Sequence, residues 1–133
     1  MSKRINKWEK PFHIERGDVY MADLGTEEDV VGSEQFGLRP VLVTQCNHQN
    51  RKSPTIIIAI ITSQIKKEKM DYHVILPKIK GLPKQSMVCC EQKRTIDKLR
   101  LLRYCCTVDD ETMKEVTRAC RKVEEADKER RRW

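Results

Sequence analysis

Aromatic residues are scarce in this chain of 133 residues: two Trp, two Phe and three Tyr make up 5% of it. An extensive platform of rings for stacking nucleobases is therefore not expected. No run of 18 or more apolar residues occurs, so no segment has the length of a membrane-spanning helix. The first residues are charged with no apolar stretch behind them, so no secretory signal is expected. The three histidines (His13, His48, His73) are far apart in sequence and the acids are scattered. No metal-ligand cluster stands out, and no cofactor is expected. Six cysteines (Cys46, Cys89, Cys90, Cys105, Cys106, Cys120) show no Cys-x-x-Cys spacing. Adjacent cysteines on a strand point to opposite faces, so each pair makes poor zinc ligands and poor bridges. They read as reduced, small apolar residues of a cytoplasmic protein.

What is present is charge, unevenly placed. The net charge is +7. Residues 1–16 carry a net +3, residues 17–64 a net −3, residues 65–107 a net +7, and residues 108–133 none. The excess lies around Lys66, Lys67, Lys69, Lys78, Lys80, Lys84, Lys93, Arg94, Lys98, Arg100 and Arg103. Such a zone attracts a polyanion without reading its sequence. Charge alone suits a Lys-rich solvated surface equally well.

The length and the 38% apolar fraction fit one domain with one core. Two apolar runs, Leu38 to Gln45 and Thr55 to Ser63, are short, β-branched and bounded by turn residues. They read as buried strands covered on both faces, joined by a polar loop from Cys46 to Pro54. If they pair antiparallel, Arg39 at the start of one and Thr62 at the end of the other can meet at one end of a sheet. Further strands are expected over 16–23, 71–77, 86–94 and 103–107, with a short helical turn over 96–102. A loop over 25–36 carries Glu27, Glu28 and Asp29. Asp109 is placed to cap a helix in which Met113, Val116, Cys120 and Val123 share one face. Residues 1–13 read as a basic tail, 14–126 as the domain and 127–133 as a charged tail. The fold class is α+β, mainly β: a small bent barrel with a C-terminal α-helix.

Six segments occur in a telling order: Arg16-Gly17-Asp18-Val19-Tyr20, Gly32-Ser33-Glu34-Gln35, Arg39-Pro40-Val41-Leu42-Val43, Ser53-Pro54-Thr55, Ile61-Thr62-Ser63-Gln64 and Glu91-Gln92-Lys93-Arg94-Thr95-Ile96-Asp97-Lys98. Together, over roughly residues 15–123, they resemble the MazF/PemK family of toxin endoribonucleases. The resemblance implies an SH3-like β-barrel of the MazF/PemK/CcdB type. It also implies a metal-independent, sequence-specific endoribonuclease of a type II toxin–antitoxin system. Such an enzyme cleaves single-stranded mRNA and leaves 2′,3′-cyclic phosphate and 5′-OH ends. The implied partners are single-stranded RNA, a cognate acidic antitoxin and a second copy of the chain in a homodimer, with no membrane.

The chemistry needs a base for the 2′-hydroxyl, an acid for the leaving oxygen and positive charge on the phosphorane. Arg39 offers a bidentate fork for phosphate, whereas its high pKa makes it a poor proton carrier. Pattern alone also allows Arg39 to hold a loop through Glu34 or Asp23. Thr62 matches the family's second catalytic position and can hydrogen-bond a phosphate oxygen; alone it reads as a strand-end hydroxyl. The resemblance further implies RNA contacts at Arg16, Ser33, Glu34, Gln35, Phe36, Cys46, Gln64 and Gln92. Phe36 is the one ring placed to stack, and Cys46 stands where the family often has Asn. His73 lies mid-strand and reads as structural, while His48 in the polar loop is the better placed to reach a scissile bond. Two readings of other classes stay open. One is a gyrase-poison-type toxin of the same fold, the other an RNA-binding regulator that grips phosphate without cutting.

Overall fold

A computed structural model describes residues 13–32, 34–65, 71–82 and 84–125. Among the described residues six strands and two α-helices follow in the order β1 (Asp18–Asp23), β2 (Leu38–Val43), α1 (Asn47–Lys52), β3 (Thr55–Thr62), β4 (His73–Ile75), β5 (Met87–Asp97), β6 (Leu101–Thr107) and α2 (Asp110–Glu124). The strands form one sheet in the order β4-β5-β3-β2-β1-β6. Every pairing is antiparallel. Residues 1–12 of the expected basic tail, the charged C-terminal tail, Lys66, Lys67, Lys69 and Ser33 lie outside the described residues.

The near-continuous apolar runs of β2 and β3 follow from two cores, one on each face of the sheet. On one face Leu42, Ala59, Ile61, Val88 and Cys90 pack against Met113, Val116 and Ala119 of α2. On the other Val41, Val43, Ile56, Ile58 and Ile60 pack with Tyr20, Ala22, Ile96 and Leu101. Strand side chains alternate between faces, so a strand with a core on both sides must be apolar throughout. Of the stripe expected from sequence, Met113, Val116 and the partly buried Cys120 pack into this core, while Val123 is only partly buried and lies outside it. Val116 is fully buried and Met113 nearly so. Asp109 caps the helix, accepting from Thr112 N at 3.0 Å and from Thr112 Oγ1 at 2.7 Å.

Three segments differ from their sequence patterns. The polar stretch after β2 forms the short helix α1 rather than a loop. Its inward residue Asn50 is buried, exchanging hydrogen bonds with Gln45 at 2.9 and 3.0 Å. A satisfied amide pair takes the place of an apolar stripe, which is why no periodicity announced it. The turn expected over 96–102 is shorter. β5 continues to Asp97 because Ile96 and Thr95 pair with Ile56 and Ile57, and only Lys98–Arg100 forms a 3-10 turn. Finally, β5 carries a bulge: Ala59 pairs with Lys93, but the next residue, Ile60, pairs with Cys89. Cys90, Glu91 and Gln92 are thus left over on that strand, and such bulges re-aim side chains.

The loop from β4 to β5 closes the fold. Gly81 adopts φ +107°, and a Cβ there would stand 2.1 Å from the Cys105 carbonyl oxygen on β6. Only a residue without a side chain lets the loop lie against that strand. The two edges of the curved sheet are so brought together by a loop, with no ladder between β4 and β6 among the described residues.

Candidate RNA-cleavage site

The register of β2 on β3 places the site. Val41 opposes Ile60 and Leu42 opposes Ala59. Two residues further along the same register, Arg39 stands across from Thr62. Both line one open cleft of about 530 Å³, together with Gln35, Gln64, Lys84, Ser86 and Arg103. The closing loop and β6 supply the last three, so the cleft exists because Gly81 lets that loop approach.

Arg39 is oriented without being neutralised. Its Nε donates to the Phe36 carbonyl at 3.1 Å. Its terminal nitrogens make no ion pair among the described residues, so neither Glu34 nor Asp23 occupies the fork. Thr62 Oγ1 accepts from the Gln64 backbone N–H at 3.1 Å. That bond fixes the oxygen and leaves the hydroxyl proton to donate, as a phosphate oxygen requires. Arg103 and Lys84 add two cations that the sequence offered only as part of a diffuse basic zone.

A second groove adjoins the first through Gln35, which lines both. It is lined by Glu34, Ile60, Gln92, Lys93 and Arg94, with Asp29 at its rim. Gln92 reaches it from the β5 bulge. Arg94 Nη1 donates to the Gln35 carbonyl at 3.1 Å, tying the 25–36 loop to β5. Glu34 serves that loop, its Oε1 accepting from Val31 N at 2.8 Å. The acidic residues Glu27, Glu28 and Asp29 form an exposed 3-10 turn whose Asp29 carboxylate accepts from Thr26 N at 2.7 Å. The Thr26 bonds hold this carboxyl below the usual range.

Arg39, Thr62, Gln35, Gln64, Glu34 and Gln92 thus come together. Phe36 contributes its backbone carbonyl, and its side chain lines neither groove. Arg16 and Cys46 stand apart. Arg16 Nη1 donates to the Thr44 carbonyl at 2.6 Å and its Nη2 to Thr117 Oγ1, so it fastens α2 to the far end of β2. Cys46 caps α1 beyond that same end, exposed, roughly 20 Å along the strand from Arg39. His48 lies on α1 and is equally remote from the cleft. His73 is held by Glu91 at 3.1 Å, in keeping with a structural role.

A family model described as "PemK-like, MazF-like toxin of type II toxin-antitoxin system" matches residues 15–123. Endoribonuclease EndoA of Bacillus subtilis is 51% identical over 107 residues, which cover 80% of this chain and 90% of that protein. MazF from Deinococcus radiodurans superposes with a TM-score of 0.72 at 20% identity, covering 86% of this chain and 99% of that one. A mycobacterial endoribonuclease solved with its cognate antitoxin gives a TM-score of 0.69 at 22% identity, covering 84% and 94%. At such identities the solved structures speak for the fold alone.

Proposed function

The chain belongs to the PemK-like, MazF-like toxin family of type II toxin–antitoxin systems and is an endoribonuclease, and we propose that Arg39 and Thr62 do its cutting. The observation that carries this reading is the β2–β3 register. It sets a guanidinium with a free fork and a hydroxyl with a free proton at the rim of one cleft. The substrate is single-stranded RNA. Its own 2′-hydroxyl is the nucleophile, so the protein must position the strand and stabilise charge rather than supply an attacking group. Arg39 grips the phosphate and stabilises the phosphorane. Thr62 donates to a second phosphate oxygen. Lys84 and Arg103 raise the positive potential around the same phosphate and hold its neighbours.

Selection of sequence falls to the adjoining groove, where Gln35 and Gln92 present amides that can both donate to and accept from base edges. Gln64 stands at the join with the cleft. A cognate antitoxin and a second copy of the chain are its protein partners. An acidic antitoxin segment fits grooves lined by Arg39, Lys84, Arg103 and Arg94. No helix among the described residues is long and apolar enough to cross a membrane. We place the protein in the cytoplasm, where its substrate is, and take residues 14–126 as the toxin domain.

The test is incubation of the purified chain with a long mixed-sequence RNA in EDTA, beside Arg39→Ala. Discrete fragments with cyclic phosphate ends are expected, and the variant should cut at least about a hundredfold more slowly. Turnover retained in Arg39→Ala removes Arg39 from its role. RNA that is bound but never cut by the unaltered chain points instead to a non-catalytic binder.

A further inference from the structure

β4 and β5 meet at one edge of the sheet, and their register sets His73 directly across from Cys89. Glu91 lies two residues along β5, within the bulge. Its Oε2 is 3.1 Å from His73 Nε2. One donor atom each from His73, Cys89 and Glu91 fall within 4.8 Å of one another. The imidazole is 10% exposed and the carboxylate 32%, while Cys89 is buried. Nitrogen and sulfur therefore sit inside, with oxygen on the solvent side.

We propose that His73, Cys89 and Glu91 form a binding site for a borderline-soft divalent cation of the zinc class, with a fourth position open to water. An imidazole with a thiolate selects such a cation over magnesium or calcium, which take oxygen donors. Three protein ligands and one open position is an arrangement that zinc adopts. Zinc bonds of about 2.0 Å to nitrogen or oxygen and about 2.3 Å to sulfur, at tetrahedral angles, hold donors about 3.3–3.6 Å apart. His73 and Glu91 already stand near that spacing, and a rotation of the half-exposed Glu91 brings its carboxylate over the thiol. Burial and the Glu91 charge push the Cys89 thiol up to about 11, so it is protonated in the free protein. A bound cation displaces that proton, as it does at thiolate sites generally. The position matters for the grooves. Cys89 opposes Ile60, which lines the groove that holds Gln92. The cation would sit on the strand segment that carries the base-reading amide.

The experiment uses the full chain, stripped with a chelator and titrated with Co²⁺ while thiolate-to-cobalt charge-transfer absorption is followed. Zn²⁺ is then added as competitor. One equivalent per chain is expected, displaced by Zn²⁺. Cys89→Ser and Glu91→Gln should each weaken binding at least about tenfold. Cys120→Ser, a thiol lost on α2 and outside this cluster of donors, should leave it intact. Glu91→Gln sits at the solvent side and guards against misfolding: its metal-free thermal unfolding should match that of the unaltered chain. Three results overturn the site: no saturable binding, binding unchanged by either ligand substitution, or binding lost in Cys120→Ser and kept in Cys89→Ser.

Discussion

Arg39 shows how one side chain is both fixed and left available. Its Nε is spent on the Phe36 carbonyl, which sets the plane of the guanidinium and holds the end of the 25–36 loop. Arg39→Lys keeps the charge but surrenders that bond and the fork. It is expected to cut more slowly than the unaltered chain and faster than Arg39→Ala in the same RNA assay. The cysteines make a different point at this scale. Cys120 is partly exposed, and the neighbouring Cys90 thiol, with Lys93 and Arg16, holds its thiol below the usual range. Burial pushes Cys89 and Cys106 up to about 11. Only the thiolate attacks, so iodoacetamide at neutral pH should label Cys120 while those two stay intact. Peptide mapping reads the outcome, and equal labelling of Cys89 would contradict it. That Arg39 and Thr62 can meet was legible from sequence, because each abuts a strand of clear pattern. The positions of Arg16 and Cys46 were not, since only the tertiary structure sends them to the opposite end of β2.

At the level of elements, local pattern and pairing contribute separately. β2, β3 and α2 could be read directly, because long apolar runs and a capped amphipathic stripe are strong local signals. The β5 bulge could not be read, because a bulge is defined by the partner strand. The placing of Glu91 and Gln92 depends on that register, and the His73–Cys89 pairing on the register of β4 with β5. The closing loop was equally hidden, although its Gly81 was plain to see. Gly81→Ala tests what that glycine does. The new Cβ would meet the Cys105 carbonyl oxygen at 2.1 Å, and a positive φ strains any side chain. Strain and overpacking together should cost at least about 2 kcal/mol, several degrees of melting temperature. RNA cleavage should fall as well, because Gly81, Leu82 and Lys84 line the cleft. Gly32→Ala is the control. Its Cβ would meet nothing within 4 Å, so only the strain of φ +59° remains and the melting temperature should shift less. Similar shifts in both variants would show that backbone strain, and not the contact with β6, is what Gly81 relieves.

For the whole molecule, a net charge of +7 would draw RNA to any basic face, so affinity alone does not locate the site. The salt dependence of binding does. Each cation that meets a phosphate of single-stranded RNA releases counterion, and log K falls with log salt at about −0.7 per contact. Arg39, Lys84 and Arg103 in the cleft and Arg94 in the adjoining groove are four such cations. A binding isotherm series on Thr62→Ala, which should hold RNA without consuming it, is therefore expected to give a slope of about −3. Adding Lys84→Ala should weaken binding to all sequences alike and flatten the slope by roughly 0.7, leaving the recognised word unchanged. Adding Gln92→Ala should do the reverse: the slope holds, and discrimination between sequences narrows, because an amide reads base edges and neutralises nothing. Arg16 serves as the internal contrast. Its guanidinium is engaged by Thr44 and Thr117 in a different groove, so Arg16→Ala should lower stability while leaving the slope alone. A slope that drops with Arg16→Ala but not with Lys84→Ala would move the RNA path to the other end of the sheet and take Arg39 and Thr62 out of the cutting site.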